Sequence, residues 1–117
     1  MTFPVGALAL AVEERADVWA ALGLRPVVLP VAPNYRKAMA GVQFESAEWL
    51  SEILVWTSGE TELETLRLSD DRMVEKHYDL AEPRDLAVVV DELIGLLTRD
   101  TIPADAAVFP DYWAPRR

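Results

Sequence analysis

The sequence predicts an α+β fold, an antiparallel β-meander of about five strands with N-terminal and C-terminal helices packed on one face. Three observations predict it. Apolar residues recur at helical spacing near both ends, period-two alternation fills the middle, and short turn signals separate the alternating runs. The 117 residues suit a single domain, residues 1–100 forming a helix–sheet–helix body and the Pro-rich tail 101–117 packing back on it.

Val5 to Leu22 reads as the first helix. Leu8, Val12, Trp19 and Leu22 share one side with Ala16 between them, while Glu13, Glu14 and Asp17 project elsewhere. Gly23 is a natural helix terminator, Leu24 is placed to pack back on the last turn, and Pro26 forbids continuation. Val27 to Val31 is β-branched but set among Pro26, Pro30 and Pro33, which restricts it to an edge strand or an extended connector. Arg36 to Glu45 alternates, with Ala38, Ala40, Val42 and Phe44 on one face.

Ser46 to Ser51 reads equally as a turn or a short helix. Ile53 to Thr57 is a strand, Ser58-Gly59 a tight hairpin turn, and Thr61 to Leu68 the returning strand. Asp70-Asp71 turns the chain again into Met73 to Leu80. Glu82-Pro83 opens the second helix, with Asp85 in its first turn and Leu86, Val90, Leu93 and Leu97 as its buried stripe, supported by Val89 and Ile94, to an end near Arg99. In the tail, Val108, Phe109, Tyr112 and Trp113 are too apolar for a free segment.

Charge narrows the function classes. Twenty acids against eleven bases give a net charge of −9, so nucleic acid is not an expected partner, because phosphate neutralisation needs clustered Lys and Arg. Absence of cysteine removes disulfides, thiol nucleophiles and thiolate metal sites. The apolar run Phe3 to Val12 is far too short to span a bilayer and runs into Glu13-Glu14, so a soluble, cytoplasmic protein with no membrane partner is expected.

Residues 45, 48, 52, 60, 62 and 64 are acidic, and no base interrupts them. A two-residue turn at Ser58-Gly59 places Trp56 opposite Thr61 and Leu54 opposite Leu63. A two-residue turn at Asp70-Asp71 places Leu63 opposite Tyr78 and Glu64 opposite His77. One face then collects Leu54, Trp56, Leu63, Val74 and Tyr78 as core, and the other collects Glu60, Glu62, Glu64, Glu75, His77 and Asp79. With Glu48, Trp49 and Glu52 at its margin, this acidic face is the candidate partner-binding surface, Trp49 and Trp113 being the candidate exposed aromatics and Trp19 and Trp56 core. The competing reading is a face that is acidic only for solubility and against edge pairing.

No catalytic, cofactor or metal site is expected. His77 is the only histidine, and zinc recruits further His or Cys that the chain lacks. No Gly-x-Ser-x-Gly, no Gly-rich phosphate loop and no cleft for a carboxylate pair is evident.

The run Val55-Trp56-Thr57-Ser58-Gly59-Glu60 resembles the hairpin signature of TriTu-type immunity proteins of bacterial polymorphic toxin systems. There a strand ending Trp-x-Ser-Gly-Glu is followed by an acid-rich returning strand, a strand with His and a C-terminal helix. The similarity covers roughly Phe44 to Leu97. The resemblance implies a cytosolic antitoxin that binds one cognate toxin domain and occludes its active site, and the acidic face suits a toxin with a basic cleft. It carries over no individual functional residues. The alternatives are a small acidic secretion chaperone or adaptor for a protein client and, behind it, a small enzyme centred on His77 and Glu64. Oligomeric state is open.

Overall fold

The computed structural model describes residues 2–30, 32–34 and 37–112, so the readings placed on Val31, Arg36 and Trp113 lie outside the described residues. Two short helices open the chain, α1 (Ala7–Glu13) and α2 (Ala16–Leu22), where the periodicity predicts one. The break falls at Arg15, whose φ of −112° and ψ of 24° leave the helical region. A straight helix over Val5–Leu22 would run about 27 Å. Bending it lets Leu8, Val12 and Trp19 all join one core. The Trp19 indole N–H donates to the Val12 carbonyl at 2.7 Å, satisfying an acceptor at the end of α1. Gly23 ends α2 at φ 68°, and the Leu24 N–H returns to the Trp19 carbonyl at 2.9 Å, as the sequence predicts.

Among the described residues seven antiparallel strands follow in one sheet: β1 (Arg25–Val28), β2 (Ala32–Asn34), β3 (Lys37–Glu45), β4 (Trp49–Trp56), β5 (Glu60–Arg67), β6 (Arg72–Asp79) and β7 (Ala107–Phe109). Their order is β1-β3-β4-β5-β6-β7, and β2 pairs with the first part of β3. The α+β class and the central meander are those the sequence predicts. The strands beyond the expected five include β2 and β7, each three residues long and too short to show alternation. β7 ties the tail to β6 through its main chain, while Val108 and Phe109 stay 43% and 42% exposed.

Ser46 to Ser51 resolves as a tight turn running directly into β4. The Ser46 hydroxyl accepts from the backbone N–H groups of Glu48 and Trp49, both at 3.2 Å, and pairing begins at once. Strand β4 therefore starts four residues earlier than Ile53. Trp49, expected as an exposed anchor, is half-buried and packs against the core.

The β4–β5 hairpin corrects the register. Its turn holds three residues, Thr57-Ser58-Gly59, with Gly59 at φ 90° and its N–H bonded to the Trp56 carbonyl at 2.9 Å. Val55 consequently faces Thr61, Ile53 faces Leu63 and Leu54 faces Glu62. A slip of one residue inverts a strand. Ile53 and Val55 are fully buried, whereas Leu54 and Trp56, expected in the core, turn to the other face. At the β5–β6 turn four residues lie between Arg67 and Arg72, so Leu63 faces Lys76 and Glu62 faces His77. That shift is two residues and leaves the faces as expected.

Gly59 is required twice over, by its positive φ and by space, since a Cβ there would clash with the Leu80 carbonyl oxygen. Gly59→Ala is expected to cost about 2 kcal/mol or more, because left-handed geometry alone costs ~1–2 kcal/mol for an L-residue and the Leu80 backbone must also move. Urea unfolding checks it.

The core gathers Ala40, Val42, Phe44, Ile53, Val55, Leu63 and Tyr78 from one sheet face with residues of all three helices. After a 3₁₀ turn at Pro83–Asp85, α3 spans Leu86–Arg99. The Asp85 carboxylate accepts from the Ala81 and Glu82 N–H groups at 3.1 and 2.9 Å, anchoring the entry. Leu86, Val89, Val90 and Leu93 are buried as predicted, Leu96 joins them, and Leu97 and Ile94 are partly buried. Among the described residues no helix is long and apolar enough to cross a membrane.

Candidate partner-binding face

The sheet face turned away from the core is built of cross-strand rows. Gln43, Glu52, Glu64 and Glu75 form one row over β3 to β6, and Leu54, Glu62 and His77 form the next. Glu60 pairs with Asp79, with Trp56 on the same side of β4. On the far side of the acids runs an apolar row, Leu50, Leu66, Met73 and Phe109. The structure thus brings together Glu52, Glu60, Glu62, Glu64, Glu75, His77 and Asp79. Glu48 is exposed in the β3–β4 turn, and Trp49 points to the opposite face. Trp56, expected in the core, is instead the tryptophan on this face.

The acids are unequally satisfied. Glu52 accepts from the Gln43 side-chain amide at 2.8 Å, and Glu60 accepts from the Ser58 hydroxyl at 3.0 Å. The Glu64 and Glu75 carboxylates have no hydrogen-bond or ion-pair partner among the described residues. Partial burial, then the charges of Glu75, Glu52 and Glu62, hold the Glu64 carboxyl above the ordinary carboxylate range. A raised carboxyl pKa means that the ionised group opposes folding: stability is full below the unfolded pKa and is lost as pH rises through the folded one. Glu64→Gln is therefore expected to stabilise the free protein at neutral pH by a few tenths to ~1 kcal/mol, the scale of a like-charge cross-strand pair. A lower melting temperature in the variant would contradict this.

His77 bridges two carboxylates, Nδ1 lying 2.8 Å from Glu62 and Nε2 3.0 Å from Asp79. Carboxylates only accept, so both bonds form together only with the doubly protonated imidazolium. Those two bonds, Glu62's first, raise the His77 pKa above 6.5. Its contribution to stability is complete below 6.5 and fades as pH rises through the folded value. An NMR titration is expected to place His77 above 6.5 and to move it down in Glu62→Gln. The two carboxylates approach opposite ring edges instead of converging on one point, and among the described residues no His, Asp and Glu group is arranged to hold a metal.

Other cations of β5 and β6 lie on the core side, each already paired. Arg67 binds Asp70 at 2.7 Å, Arg72 binds Asp100 at 2.6 Å, and Lys76 binds Glu92 at 2.9 Å. The Arg67 guanidinium holds the Asp70 carboxyl down at about 2. Glu92 also accepts from the Tyr78 hydroxyl at 2.8 Å. The period-two pattern of β5 and β6 thus separates charge by sign, acids outward and bases toward α3. Arg25, opposite Glu45 on β1, sits at the margin of the outer face.

Sequence reasoning missed Leu50, Leu54 and Trp56 as parts of this face. The run Ile53-Leu54-Val55-Trp56 is apolar throughout, so no alternation marks its outward side. Only the length of the Gly59 turn carries that information.

A family model described as Immunity protein TriTu matches residues 12–95, well over half of the chain. That span runs from the end of α1 through the whole acidic face and into α3. No curated protein and no solved structure matches the chain.

Proposed function

Because the chain belongs to the TriTu family of immunity proteins, we propose that it neutralises one cognate bacterial toxin by binding the toxin domain with the outer face of its sheet. The observation that carries this reading is the separation of charge on β5 and β6. Glu52, Glu62, Glu64 and Glu75 share a face on which His77 is the only base of those two strands, while Arg67, Arg72 and Lys76 are turned away and paired. A solvating surface has no need of unscreened like charges in register. A surface kept for a basic partner does, because complementary charge speeds encounter and rejects wrong partners.

The partner is a protein with a basic cleft, of the kind that toxins acting on nucleic acid or nucleotides possess, and the acidic face occludes that cleft. The chain acts by binding and not by catalysis, in the bacterial cytoplasm, with no role for nucleic acid or membrane. The test uses the full chain and the toxin domain encoded beside its gene. One-to-one binding whose association rate falls steeply between low and high salt is expected. Binding that ignores salt removes this face from the reading.

A second reading has one observation in its favour. A depression of ≈ 440 Å³ between α1, α2 and β1, with Val12, Trp19, Leu24, Pro26 and Val28 in its lining, is predominantly apolar, as a chaperone or adaptor for an unfolded client requires. A stable homodimer in sedimentation would favour it, and a strict monomer would count against it.

A further inference from the structure

On the outer face, the apolar row and the acidic row meet in a depression of ≈ 350 Å³. Its floor is apolar: Leu66 and Met73 are buried although they point away from the core, and Leu50 forms a wall that is 40% exposed. Glu52 and Glu64, cross-strand neighbours, line the side toward the acidic row. We propose that this depression seats an arginine side chain of the toxin, its methylene stem lying on Leu50, Leu66 and Met73 and its guanidinium bridging Glu52 and Glu64. The inference rests on the reading of the outer face as the toxin contact and adds to it the chemistry of one anchor.

Charge complementarity selects the occupant. An apolar side chain would fit the floor but bring two carboxylates out of water with nothing to pair them, which is costly. A small cation would satisfy the carboxylates and leave the floor wet. Long cationic side chains do both, burying the stem while the head remains polar. Arginine is favoured over lysine because opposed residues on paired strands stand about 5 Å apart, a separation that a planar fork with five donors bridges and a single ammonium does not. The Glu64 carboxylate lacks any partner among the described residues and is partly desolvated, so it gains most from a cation placed there. Its neighbour Glu52 already holds Gln43, and that amide fixes the carboxylate beside the depression.

The experiment titrates the full isotope-labelled chain with a blocked tetra-arginine peptide and its lysine and citrulline counterparts, reading methyl and amide resonances. The arginine peptide is expected to shift the Leu50, Leu66 and Met73 methyls and to bind about fivefold more tightly than the lysine peptide, the citrulline peptide leaving them unmoved. Leu50→Thr, a change at an exposed position, is expected to weaken arginine-peptide binding about threefold through loss of stem packing. If the cationic peptides move amides at Glu60, Glu62 and Asp79 but not the three methyls, the arginine seat is wrong and the acidic-face reading stands. If no outer-face resonance moves, both fall. Equal affinity for arginine and lysine also overturns the assignment.

Discussion

Exchanging Glu52 and Glu64 together for lysine is expected to weaken the complex with the toxin encoded beside the gene by roughly a thousandfold, or about 4 kcal/mol. Each reversal removes an attraction and places a cation against a basic surface, and like-charge juxtaposition across an interface costs several kcal/mol. Both rate constants are expected to move, association through the lost steering and dissociation through the unpaired charge. The residues are chosen because they are opposed on β4 and β5 and belong to the row with Glu75. Folding should survive, since Glu64→Lys turns the repulsion with Glu75 into an attraction on a partly exposed face, and circular dichroism and thermal melting check this. Glu14→Lys, at an exposed position at the end of α1, is the control and is expected to change affinity by less than about threefold, as distant surface charges do. A double reversal that costs less than tenfold would mean that the toxin meets another surface.

Trp19→Ala is expected to give the largest loss of stability of any single change, about 3–5 kcal/mol. Trp19 is only 2% exposed and packs on Phe44 with ring centroids 4.9 Å apart. Its truncation would open a cavity where α2 meets the sheet, and aromatic pair geometry would be lost with the buried area. The indole also holds the α1–α2 elbow through its bond to the Val12 carbonyl. Trp19→Phe separates these contributions. The Val12 carbonyl would still accept from the Arg15 N–H at 3.0 Å, so that variant is expected to lose ~1–2 kcal/mol. Against a domain stability of about 5–15 kcal/mol, the alanine variant forfeits a large share and the phenylalanine variant a small one. Urea unfolding followed by fluorescence of the remaining tryptophans reports both. Equal losses in the two variants would mean that the hydrogen bond, and not packing, is what Trp19 supplies.

The acidic face was legible wherever polar and apolar residues alternate. In β5 the series Glu60, Glu62, Glu64 against Thr61, Leu63, Thr65 admits one orientation, since the opposite one would bury three carboxylates. In β6 the same logic sends Glu75, His77 and Asp79 outward with Glu62 and Glu64, and an error of two residues at the Asp70-Asp71 turn did not disturb it. Lys76 joins the core side by the same alternation, and Glu92 of α3 receives it there. β4 gave no such purchase. Ile53, Leu54, Val55 and Trp56 are all apolar, so either parity buries two apolar side chains and exposes no charge to the core. The three-residue turn made the choice, and with it Trp56 and Trp49 exchanged faces.

The sequence by itself determined the α+β class, the exclusion of the Pro-flanked segment from the middle of the sheet, the helix stop at Gly23, the helical entry at Pro83 and the outward acids of β5 and β6. These follow from local rules: proline lacks an N–H, glycine tolerates positive φ, and carboxylates avoid burial. Only the tertiary structure decided where the first helix breaks, which side of β4 faces the core, and that Leu50, Leu66 and Met73 lie beside Glu52 and Glu64 to make a depression. Those features depend on pairing and packing between segments distant in sequence, where a single residue in one turn inverts a whole strand.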